Sequence, residues 1–111
     1  MADKYYRSDL VPTVERAEAE ILRIVRTIVP NASLDRAGPL DFGQGAYWVC
    51  TIKTKTDDER DRIVKLAQEE EFFLRLRNAA IEAGFAPRAF GVESQETVDR
   101  DYKGSWALAL K

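Results

Sequence analysis

The chain has 111 residues, 45% apolar and 32% charged, with 17 Lys and Arg against 19 Asp and Glu for a net charge of −2. This is globular composition at the size of one domain, residues 1–111; it excludes a disordered chain and the basic footprint of a general phosphate-backbone binder. Histidine is absent, which removes every Ser-His and Cys-His nucleophile pair and the commonest metal ligand.

The first periodic segment predicts a helix over Asp9 to Val29. Leu10, Val14, Ala17, Ile21, Ile24 and Ile28 recur at spacings of three and four, the apolar stripe of an amphipathic helix. Ser8 or Asp9 suits the N-cap, Pro12 the first turn, and Pro30 ends the ladder. A weak strand is expected around Ala32 to Arg36, followed by loop through Gly38, Pro39, Gly43 and Gly45. Ala46 to Thr54 is the clearest strand, with Trp48, Cys50 and Ile52 on the expected core face and Tyr47, Val49, Thr51 and Lys53 on the other.

Thr56-Asp57-Asp58-Glu59 has the spacing of a capping box, with an acidic first turn suited to the helix dipole. From it a helix is expected to Ala83, closed by Gly84, with Ile63, Leu66, Ala67, Phe73, Leu74, Ala80 and Ile81 as its core stripe. At 1.5 Å per residue it would measure about 40 Å, long for a domain of this size, so either it breaks near Gln68 to Glu71 or one end projects from the body. Residues 89 to 98 read as a strand. Ser105 to Leu110 alternates, with Trp106, Leu108 and Leu110 on one face, and reads as a second strand hairpinned to it. The expected fold is α+β: two helices packed on one face of a three- to four-stranded, mainly antiparallel sheet, in the order α-(β)-β-α-β-β.

The lone Cys50 forms no internal disulfide, and without a base it reads as a small core residue. The first ten residues are polar and hold no apolar run of signal length, and no stretch approaches membrane-spanning length. A cytoplasmic location is therefore expected, or one within a virus particle, and no membrane partner. The Asn31-Ala32-Ser33 glycosylation string is then a chance match.

Motifs that spell known chemistry lack their context. Asp41-Phe42-Gly43 spells the magnesium triplet of kinases without any other kinase element. Gly43-Gln44-Gly45 precedes a strand rather than opening a helix and reads as a tight turn. Asp57, Asp58, Glu59 and Asp61 point in different directions around a helix, and the Asp99-Arg100-Asp101 segment lacks the ligands that close a calcium loop. No catalytic, cofactor or metal residue is assigned.

Some residues remain once the core is filled. Tyr5, Tyr6, Tyr47, Phe72 and Tyr102 could form an exposed aromatic surface, the kind that marks interfaces. Glu70 falls on the expected helix stripe with Arg77 two turns on, as stripe-edge positions facing water or as a polar cluster. The expectation is a small non-catalytic protein that acts by binding another macromolecule: an inhibitor, immunity protein or antagonist of a defence complex. The alternative is a structural adaptor or ring-forming completion protein of a phage-like assembly, with the closing strand through Lys111 as an edge for sheet extension. A carboxylate-based or metal-dependent small enzyme ranks lower. The partner is another protein or a second copy; the charge balance makes nucleic acid unlikely, although Arg23, Arg26, Arg36, Arg60, Arg62, Arg75 and Arg77 could cluster.

Overall fold

The computed structural model describes residues 4–110; residues 1–3 and Lys111, the last position of the expected closing strand, lie outside it. A single turn of 3-10 helix at Ser8–Leu10 leads into α1 (Val11–Val25), which buries Val14, Ala17, Ile21, Ile24 and Val25. The helix stops four residues short of the expected Val29. The Thr27 hydroxyl donates to the Ile24 carbonyl at 2.6 Å, and the Thr27 amide donates to the same oxygen at 3.1 Å. Such local bonding competes with the helical ladder, so the segment closes as turns while Val29 still reaches the core.

β1 (Ser33–Leu40) is longer than the expected weak strand and pairs antiparallel with β2 (Tyr47–Thr54). The register shifts between Ala37 and Leu40, across Gly38 at φ +99°, where a Cβ would lie 2.9 Å from the Tyr47 carbonyl. Only glycine lets the two backbones approach so closely. β2 alternates as expected: Trp48, Cys50, Ile52 and Thr54 are buried, and the residues between them are half-buried.

The capping box forms: the Glu59 amide donates to Thr56 Oγ1 at 3.2 Å and the Thr56 amide to Glu59 Oε1 at 3.1 Å. The helix it starts is not continuous to Ala83. It is divided into α2 (Asp57–Glu69) and α3 (Phe72–Ala83), with Glu71 left-handed at φ 52° between them. The molecule measures 38 × 32 × 21 Å, so an unbroken helix of about 40 Å would carry its apolar face past the end of the body. The break re-aims the stripe. Phe72, Leu76 and Ala80 are buried, whereas Leu74 and Ile81, expected in the core, are 49% and 57% exposed.

β3 (Ala89–Ser94) pairs with β2 in parallel, Cys50 opposite Phe90 and Ile52 opposite Val92. The expected mainly antiparallel sheet is therefore a mixed three-stranded one, ordered β1-β2-β3. The reason is the connection: α2 and α3 form a crossover long enough to return the chain to the end where β2 began. The expected closing strand does not form either. Ser94 caps α4 (Gln95–Tyr102) by accepting from the Thr97 amide, and Ser105 caps α5 (Trp106–Ala109) by accepting from the Leu108 amide. A serine at each N-cap and alanines in the second segment permit helical turns, and in the second the contacts of Trp106 with Gln95 and Lys53 favour the helix over the alternation. The fold is α+β with five α-helices among the described residues. α1, α2 and α3 cover one sheet face, where Trp48, Cys50 and Ile52 meet Ile21, Ile63 and Leu76 in one core.

Candidate interaction surface

The register defines the other face of the sheet. Asp35 and Ala37 of β1 stand beside Thr51 and Val49 of β2, with Ala89, Gly91 and Glu93 of β3 on the far side. Side chains alternate across a strand, so all of these point away from α1 and α3. The middle of this face is low, because its residues are small. Its two ends are tall.

At one end stands an aromatic chain. The β1–β2 loop is held by the Asp41 carboxylate, whose Oδ1 accepts the amides of Gly43 at 2.7 Å and Gly45 at 3.3 Å. This local bonding leaves Phe42 outside the loop at 56% exposure. Its ring lies 4.7 Å from that of Tyr5 and 6.2 Å from that of Tyr47. The Arg88 guanidinium sits 4.0 Å above Tyr47, and the Lys4 ammonium 4.9 Å from the Tyr5 ring. Tyr5 is brought here by backbone pairing: Tyr6 bridges Leu40, the Arg7 amide donates to the Pro39 carbonyl and the Asp41 amide to the Tyr5 carbonyl. Arg7 also reaches the Asp41 carboxylate at 3.4 Å.

At the other end α5 stands over the sheet. Trp106 Nε1 donates to Gln95 Oε1 at 2.8 Å, and the Lys53 ammonium lies 4.5 Å from the indole. A cleft of about 470 Å³ opens between α5 and the strands, lined by Asp35, Ala37, Val49, Thr51, Trp106 and Leu110. A second, of about 410 Å³, opens on the other side of Trp106 toward Ser33, Lys53 and Gln95.

No family model, curated protein or solved structure matches the chain.

Of the candidate positions, Tyr5 and Tyr47 meet around Phe42. Tyr6 is exposed at the neighbouring bridge to Leu40. The others lie elsewhere. Phe72, expected at an exposed margin, is buried as the first residue of α3. Glu70 and Arg77 share no stripe, because the helix breaks between them. Glu70 is the exposed C-cap of α2, while Arg77 donates to the Arg88 carbonyl at 3.1 Å and lies 6.0 Å from the Phe90 ring. Tyr102 is the last residue of α4, half-buried. Three residues of this face read differently in the sequence: Phe42 as part of a chance triplet, Trp106 as a sheet residue, and Arg88 with no role. Phe42 did carry a signal, since an aromatic in a glycine-flanked turn has no strand or helix to bury it.

The acidic groups form no shared metal site: among the described residues, no group of three or more Cys, Asp or Glu is placed to hold a cation. Asp57 instead accepts from Ser94 Oγ, from Thr97 Oγ1 at 2.7 Å and from Arg100 Nη1 at 3.0 Å. These donors hold its carboxyl well below the usual carboxylate range, the Ser94 hydroxyl first. Asp99 accepts from the Gln95 amide group at 2.8 Å. Burial, reinforced by the charges of Glu18 and Asp35, pushes the Cys50 thiol up to about 12, so it stays protonated at neutral pH. Among the described residues no helix is long and apolar enough to cross a membrane.

Proposed function

We propose that this chain acts by binding another protein, with the aromatic end of the open sheet face at the centre of the contact. The observation that carries this reading is the ring series Tyr5, Phe42 and Tyr47 with Arg88 seated on the last of them. Aromatic residues and arginine are enriched in interface cores and supply most binding hot spots. The rings are ordered in advance by the Asp41 loop and the Tyr6–Leu40 bridge, so little freedom is lost on contact. An inhibitor, an immunity protein or an antagonist of a defence complex acts by such a surface. The test is retention of a partner from a lysate of the source cells on the immobilised chain, compared with Phe42→Ser and Arg88→Glu. A protein retained by the parent and lost by both variants, with melting temperatures unchanged, supports the reading. Identical retention by all three overturns it.

A second reading, a structural adaptor that assembles as a ring, has its own observation. Leu74 and Ile81 lie two turns apart on α3 and are both exposed, a short apolar stripe available to another copy. Light scattering across a concentration series at two salt concentrations tests it. A closed oligomer that Leu74→Glu dissociates supports this reading, and a monomer throughout removes it.

A further inference from the structure

We propose that the trough along the open sheet face receives an acidic, extended segment of the partner protein. The proposal rests on the reading of this face as a binding surface and names the chemistry of what lies there.

The first argument is charge. Arg88 on Tyr47, Lys53 on Trp106 and Lys4 on Tyr5 are held in place by rings. Among the described residues, none of these three cations forms an ion pair. By contrast, Arg7, Arg23, Arg36, Arg60 and Arg100 each pair with a carboxylate. Of the carboxylates on the face and at its aromatic end, Glu93 accepts from Arg60 at 3.0 Å and Asp41 is reached by Arg7 at 3.4 Å, which among the described residues leaves Asp35 as the unpaired anion against Lys4, Lys53 and Arg88. The local balance is positive on a chain whose net charge is −2. A cation already ordered over a ring can add a carboxylate partner without losing the ring and with little further loss of side-chain freedom.

The second argument is shape. Val49, Thr51, Ala89 and Gly91 form a low floor between the tall ends at Tyr47 and Lys53, and α5 leans over its β1 side, where Trp106 and Leu110 face Asp35, Ala37, Val49 and Thr51. These ends are six positions apart on one strand, a span of about 20 Å at 3.3 Å per residue. That length fits an extended segment of about six residues, with an acidic group at each end and small or apolar side chains over Val49. A flexible polyanion such as single-stranded nucleic acid is disfavoured by the acidic remainder of the molecule.

The test is selection of random peptides, long enough to span the trough, displayed on phage against the full chain. Asp and Glu are expected to be enriched among retained peptides. A synthesised peptide from that set should bind about tenfold more weakly in high than in low salt, and about tenfold more weakly to the Lys53→Glu, Arg88→Glu double variant. Lys65→Glu, a charge change on the exposed side of α2, should leave binding unchanged. Retained peptides without acidic bias, no retained peptides, or indifference to the double variant overturn the proposal. So does tighter binding of oligo-dT than of any selected peptide. Peptides without acidic bias that are still lost with Phe42→Ser overturn the acidic occupant and leave the binding face standing.

Discussion

The Asp57 carboxylate and the Thr97 hydroxyl, forty positions apart in the chain, meet at 2.7 Å. Asp57 opens α2 and Thr97 lies in the first turn of α4, so this contact ties together the starts of two helices. Glu96 reinforces it, its Oε1 accepting the Asp57 amide at 2.8 Å. The acidic first turn of α2 thus serves tertiary structure as well as its own helix.

Asp57→Asn should lower the melting temperature, because the amide replaces an acceptor of two hydroxyls and a guanidinium with a weaker one. The pH dependence has a definite sign. The folded carboxyl lies below its ordinary value, so its contribution is fully present above about pH 3.9 and fades as pH falls below that value toward the folded one. Urea denaturation between neutral and strongly acid pH should show a shallower acid loss for Asp57→Asn than for the parent. Parallel profiles would contradict the Asp57 contacts.

Cys50 should resist alkylating reagents in the native protein and react promptly in urea. Its thiol, pushed up to about 12 by burial, favours folding fully at pH values below the unfolded thiol's, about 8.5, and progressively less as pH rises above it. Cys50→Ser, which places a hydroxyl in the core, should cost about 1–3 kcal/mol in urea denaturation.

Leu76→Ala should cost about 2–5 kcal/mol and Leu74→Ala less than about 0.5 kcal/mol, although the two residues are neighbours on one helix. Leu76 is buried and Leu74 half-exposed only because the chain turns at Glu71. A larger loss from Leu74→Ala than from Leu76→Ala by thermal melting would restore the unbroken helix, whose stripe holds Leu74 and not Leu76.

Gly38→Ala should destabilise more than Gly45→Ala. Both glycines have positive φ, +99° and +103°, worth about 1–2 kcal/mol against alanine. A Cβ at Gly45 meets open space, whereas at Gly38 it would press on the Tyr47 carbonyl and the Leu40 amide, adding about 1–3 kcal/mol of overpacking. Melting curves of the two variants read the difference directly.

The Trp48 face of β2, the stripe of α1 and the Thr56–Glu59 capping box were legible in the chain because each depends on residues within a few positions of one another. Period, cap and dipole are local physics. Of the interaction surface, Tyr5 and Tyr47 were legible as leftover aromatics. What brings them to Phe42 was not, since the Tyr6–Leu40 bridge joins residues 34 positions apart (40 − 6).

What the tertiary structure decided was direction and partnership. Residues 105–110 satisfy both a strand alternation and a capped helical turn, and the helix prevails where Gln95 and Lys53 receive Trp106. The parallel placement of β3 follows from how far α2 and α3 carry the chain, and their break at Glu71 follows from a body too small for a helix of that length. Such choices depend on groups distant in sequence competing for the same space, and no local period encodes the outcome.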